Sequence, residues 1–161
     1  MSLSWRHLPK PARAIAEAAA DAVAAARSRD TEAFQRAAAQ LAALDSEQVG
    51  LVLGAVVRSS LERLHPDGLT ADDVHVLVAR CARSAAGWFP TVDPDVLVML
   101  VAGALGVHQP DEEAFRLEGP DVARHAPLLV ADLLAVSGDP FAVRLNAALD
   151  DIARAQTSEM P

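Results

Sequence analysis

Two histidines and several aspartates lie close together in the sequence, and they are residue types that bind divalent metals. The group consists of His65, Asp67, Asp72 and His75. Because imidazole nitrogens and carboxylate oxygens coordinate zinc and similar ions, a metal-assisted enzyme using the region from His65 to His75 is one hypothesis. The spacing matches neither a zinc motif nor a calcium loop. A turn at Asp67-Gly68 and a helix start after Thr70 explain the acids more simply, so we expect no metal.

A few aromatic residues and two glycines are the best candidates for contact with a partner. Trp88 and Phe89 would form a binding hot spot if they were exposed, or would close the end of a helical bundle if they were buried. Trp5 either docks the N-terminal segment onto the domain or contacts a partner chain. The glycines in an apolar stretch either admit a neighbouring helix or leave room for a small apolar ligand. The candidate contacts are therefore Trp5, Trp88, Phe89, Gly103 and Gly106.

Motifs for catalysis or cofactor binding are missing from the sequence. It has no glycine-rich phosphate loop, no His-Glu-x-x-His and no nucleophile elbow. Cys81 shares one helical face with Leu77 and Val78, which favours packing in the core over nucleophilic chemistry. We therefore expect no cofactor, and a role other than catalysis is favoured.

Composition and charge exclude several further classes of function. The 161 residues are 52% hydrophobic and only 4% aromatic, which suits one packed helical core. A net charge of −8 with scattered arginines opposes binding to nucleic acid and to anionic membranes. The single cysteine excludes an internal disulfide, and the longest apolar run, at 96–107, is too short to span a bilayer. We therefore expect a cytoplasmic protein that binds neither nucleic acid nor membrane.

Helix starts and stops are clearly marked, and no segment reads as a credible strand. Asp-Pro pairs at 93–94 and 139–140 are typical of an N-cap followed by the first helical residue. Pro127 either kinks a sixth helix at about 121–136 or marks its true start, and we favour a start near His125 after a short turn. The pattern predicts an all-α, single-domain bundle over residues 1–156, followed by a disordered tail at 157–161. The expected helices lie near 11–28, 31–44, 46–64, 70–88, 94–107, 121–136 and 140–156.

The helix expected at about 94–107 carries no polar side chain from Val96 to Val107. We therefore expect it at the centre of the bundle, surrounded by other helices or by a second subunit. Leu51 and Leu61 also widen the apolar arc of the third helix. This surplus of apolar surface favours a protein–protein interaction module or a self-associating module, with a homodimer as one form. The alternative is a bundle that holds a small apolar ligand, and the metal-assisted enzyme is the third hypothesis.

Overall fold

Seven α-helices make up the regular structure in the computed structural model, which describes residue 5, residues 7–106 and residues 117–158. Within this part of the chain there is no β-strand, and the expected all-α bundle of seven helices is confirmed. The helices are α1 (Lys10–Ser28), α2 (Thr31–Ala42), α3 (Ser46–Leu64), α4 (Ala71–Ala86), α5 (Pro94–Ala104), α6 (Gly119–Ser137) and α7 (Phe141–Ser158).

Side-chain caps explain where several helices begin. Asp30, Asp45 and Asp93 each accept a hydrogen bond from a backbone N–H in the first turn of α2, α3 and α5. At α4, Thr70 Oγ1 accepts from the N–H of Asp73 at 3.1 Å, and the Asp73 carboxylate accepts from the N–H of Thr70 at 2.9 Å. The backbone hydrogen bond from Thr70 is the main reason that the pKa of Asp73 lies below its ordinary value.

The centre of the bundle is α6, which differs from the expected arrangement around the helix at about 94–107. α6 packs against α1, α2, α3, α4 and α5, and it buries most of its apolar side chains. α5 packs against α3, α4 and α6 from one side, while Met99 and Leu100 are only half-buried and Gly103 is exposed. An apolar composition shows that a helix gains from being covered, but it does not fix where the helix lies. Within the described residues, part of α5 therefore remains open to water.

Pro127 lies inside α6, so the expected start of this helix near His125 is wrong. Pro120 occupies the first turn instead, where a missing backbone N–H leaves no helical hydrogen bond unmade. A proline in a helix interior removes one such bond and costs about 3 kcal/mol. Pro127, Leu128 and Leu129 are all buried, and their packing offsets this local cost.

The last helix continues to Ser158, so Thr157 and Ser158 are helical although the sequence placed them in a disordered tail. Residues 159–161, the rest of that tail, lie outside the described residues, as does Val107 at the end of the expected apolar helix. Among the described helices, none by itself has both the length and the apolar character to cross a membrane. α6 and α7 meet those criteria only as a pair, bent by 114° at their junction.

Candidate functional site

The histidines and aspartates near the start of α4 do not converge on a common point. His65 Nδ1 lies 3.7 Å from the carboxylate of Asp73, which already belongs to the capping box. Asp67, Asp72 and His75 are exposed. In the described ranges, no group of three or more His, Cys, Asp or Glu residues is arranged to hold a metal ion. This geometry gives the metal-assisted enzyme no support.

The aromatic side chains form a cluster inside the bundle. The ring of Phe34 meets those of Trp88 and Phe89 edge-on, with centroids 5.2 Å apart in both pairs. Thr31 Oγ1 donates a hydrogen bond of 2.7 Å to the carbonyl oxygen of Trp88. Phe89 is buried and Trp88 is half-buried. The two residues therefore fasten the α4–α5 connection to α2, and Phe89 presents no surface to a partner.

His125 is a buried histidine whose two ring nitrogens both have partners. Its side chain is in α6 and is only 3% exposed. Nδ1 lies 2.8 Å from the carbonyl oxygen of Asp121, and Nε2 accepts the N–H of Asp93 at 3.0 Å. This pattern requires a neutral ring with its proton on Nδ1. Burial lowers the pKa of His125, which favours this neutral ring. The contact with Asp93 holds the start of α5 against α6, and neither ring nitrogen is free for catalysis.

Two other residues that the sequence singled out lie in the core. Trp5 is buried in the main hydrophobic cluster, so its side chain packs against the rest of the domain. Cys81 is also buried, and burial raises the pKa of its thiol to about 12. The thiol is therefore protonated at neutral pH and unsuited to nucleophilic chemistry.

An open groove of about 890 Å³ runs along the outer side of α3 and is also lined by α5, α6 and α7. Its lining is mostly apolar or glycine, so it leaves apolar surface in contact with water. The apolar and glycine lining includes Gly50, Leu51, Gly54 and Ala55 from α3, Met99, Leu100, Gly103 and Ala104 from α5, and Ile152 and Ala155 from α7.

Glycines give the groove part of its depth. A Cβ atom added at Gly50, Gly54 or Gly103 would meet no heavy atom within 4 Å apart from its chain neighbours and the nearby backbone of its own helix. None of the three has a positive φ, so the backbone conformation does not require glycine there. Glycine inside a helix costs about 0.5–1 kcal/mol relative to alanine. Gly106 is different, because its φ of +74° belongs to the turn that ends α5.

Leu51 projects from the same part of α3 and is 45% exposed. A protruding leucine and a hollow over Gly50 and Gly54 thus lie side by side on one helix. Sequence reasoning missed the two α3 glycines, although a signal was present. They lie four residues apart between Glu47 and Arg58, on the polar side of the helix.

Charged side chains form a small part of the described groove lining. Its charged lining residues are Arg58, Glu62 and Asp151, and no histidine or cysteine is among them in the described part of the chain. Arg58 pairs with Glu62, and Asp151 pairs with Arg154. Comparison of the chain with models of protein families, with curated proteins and with solved structures found no match.

Proposed function

We propose that the protein is a helical interaction module that self-associates through the groove on α3, so that its partner is a second copy of the chain. The observation that carries the proposal is the exposed Leu51 beside the hollow over Gly50 and Gly54. In a two-fold symmetric dimer both subunits use the same patch, which must therefore be complementary to itself. A protruding side chain and a hollow on one patch meet this requirement.

The apolar character of α5 supports the same proposal. Met99 and Leu100 are half-buried and line the groove together with Gly103. Covering such surface is favourable by about 25 cal/mol per Å², and the cores of homodimer interfaces are correspondingly apolar. The single cysteine and the acidic charge make a cytoplasmic location part of the proposal.

A small apolar ligand is the second candidate occupant of this groove. Sites for such ligands enclose most of the surface of the bound molecule. The groove is instead open to solvent, and Leu51 projects at its surface. An open shape with a protruding side chain favours a protein surface over a small molecule.

Sedimentation equilibrium of the full chain tests self-association. We suggest a concentration range of about 1–300 μM and about 0.15 M salt, which screens the repulsion between two chains of charge −8. The wild-type mass should rise with concentration from 16.9 kDa towards twice that value. A wild-type chain that stays at 16.9 kDa over the whole range would contradict the proposal.

Two matched variants locate the interface. Leu51→Asp should stay monomeric, because burying an unpaired carboxylate in an apolar contact is costly. Val76→Asp is the control, since Val76 is 61% exposed on α4 and does not line the groove. It should associate as the wild type does. If both variants associate like the wild type, the copies meet on another face and the groove is not the interface.

A further inference from the structure

We infer that the two copies pack α3 against α3 in antiparallel orientation, with the two-fold axis passing between Val52 and Leu53. This inference rests on the proposed self-association and adds the orientation and the register. It is carried by a separate observation, the charges at the two ends of the exposed side of α3. Glu47 lies near one end of that side and Arg58 lies towards the other, and both are exposed.

One register satisfies both the charges and the side-chain sizes. Glu47, Leu51, Gly54 and Arg58 follow helical spacing and share one side of α3. About the inferred axis, Glu47 of one copy lies beside the partner's Arg58. The same axis sets Leu51 beside the partner's Gly54, where no side chain fills the space. Each contact occurs twice in the dimer because of the symmetry.

A parallel arrangement of the same two helices is opposed by the same charges. It would place Glu47 beside the partner's Glu47 and Arg58 beside the partner's Arg58. Like charges in contact disfavour an interface, whereas opposite charges fix its register. The charges of Glu47 and Arg58 therefore favour the antiparallel orientation.

The pairs within each chain leave these two groups able to form the contact. Arg58 Nε lies 3.0 Å from Glu62, but both side chains are more than 60% exposed, so this pair is weak. A guanidinium has five N–H donors and can bind a second carboxylate without losing the first. Glu47 forms no ion pair with any other described residue. The contact between Glu47 and the partner's Arg58 is thus gained without breaking another.

Cysteine cross-linking tests the register directly. Positions 47 and 58 lie about 16 Å apart along α3. In the inferred dimer, position 47 of one copy therefore lies beside the partner's position 58 but about 16 Å from the partner's position 47. A disulfide can span only roughly 7 Å between Cα atoms. We expect a mixture of Glu47→Cys and Arg58→Cys to oxidise to a covalent dimer, while each variant alone stays uncrosslinked. Cys81 gives little background, because it is buried and the pKa of its thiol is about 12. Adding Leu51→Asp to both variants should abolish the cross-link.

Charge reversal provides a second readout by sedimentation. Glu47→Arg and Arg58→Glu should each raise the dissociation constant of the dimer about tenfold or more. The double variant should return to within about threefold of the wild type, because the complementary pair is restored in reversed order. Circular dichroism of each variant checks that the helices remain intact.

The outcomes separate this inference from the proposal on which it rests. A wild-type chain that never associates overturns both. If the wild type dimerises but Glu47→Cys alone forms a cross-linked dimer, the antiparallel register is overturned and self-association still stands. The same holds if the double charge reversal weakens the dimer further than either single change.

Discussion

The two flanks of the central helix α6 use small residues in opposite ways. On one flank α1 packs against α2 and α6, and its alanines Ala19 and Ala22 are fully buried. On the other flank α3 carries Gly50 and Gly54, whose added Cβ atoms would meet nothing. Small residues on the first flank let helices of the same chain approach closely. On the second flank no described residue of the chain covers these glycines, and we propose that a second copy does.

The largest difference between the flanks should appear on truncation of a large side chain. Phe34 is fully buried between Trp88 and Phe89, so Phe34→Ala should lower the free energy of unfolding by about 3–5 kcal/mol. Leu51→Ala should change it by less than about 0.5 kcal/mol when measured on the dilute monomer. Urea unfolding at low protein concentration measures both. Equal losses would show that Leu51 is needed for the monomer fold.

Enlarging a small residue should have opposite consequences on the two flanks. Ala22→Leu should destabilise the chain by about 1–3 kcal/mol, because Ala22 is fully buried and extra methylenes overpack a core. Gly54→Leu should leave the monomer at least as stable as the wild type, yet it should abolish association by filling the hollow. Thermal unfolding and sedimentation measure the two effects. A Gly54→Leu chain that unfolds as readily as Ala22→Leu would refute the contrast.

Acid should affect the core and leave the groove unaffected. Burial lowers the pKa of His125 in the folded chain, so the unfolded chain takes up the proton first as the pH falls. The stabilisation is complete above about pH 6.5, the ordinary pKa of histidine, and is lost as the pH falls through the lowered folded value. The slope from this single proton is at most about 1.4 kcal/mol per pH unit.

Urea titrations from pH 8 to pH 5 measure how the free energy of unfolding changes with pH. His125→Gln is the control, because glutamine does not titrate and the substitution should remove the slope due to His125. The dissociation constant of the dimer should stay constant from pH 8 to pH 6, because no described histidine lines the groove. An unchanged slope in His125→Gln would assign the acid sensitivity to another group.

The smallest predicted effect is a gain in the stability of the monomer. Gly54→Ala should stabilise the dilute monomer by about 0.5–1 kcal/mol, because alanine is the better helix former and its Cβ meets open space. Gly138→Ala is the matched control, since Gly138 ends α6 with a φ of +76° and should lose stability on substitution. Chemical unfolding of both variants measures the difference. A loss at Gly54 would mean that the fold itself requires glycine there.

Helix ends were predictable from the sequence because local residues determine them. Asp93 with Pro94, and Thr70 with Asp73, act within one turn of the helix that they start. The start of α6 was not predictable in this way. The position where α6 starts depends on the burial of Pro127 against residues distant in the sequence, and this burial outweighs the local cost of a proline in a helix.

The candidate site was predictable only in part, for a similar reason. Gly103 was singled out by its apolar neighbours and Leu51 as part of the wide apolar arc of α3, but Gly50 and Gly54 were not. A small residue in a helix has the same local pattern whether a helix of its own chain or an outside surface lies against it. The distinction between Ala22 and Gly54 exists only once the neighbouring helices are in place.

Sedimentation equilibrium of the wild-type chain beside Leu51→Asp and Val76→Asp tests the central claim most directly. We predict that the wild type and Val76→Asp approach twice 16.9 kDa with rising concentration, while Leu51→Asp remains at 16.9 kDa. A mass of 16.9 kDa for the wild type at every concentration would contradict the account, as would full association of Leu51→Asp.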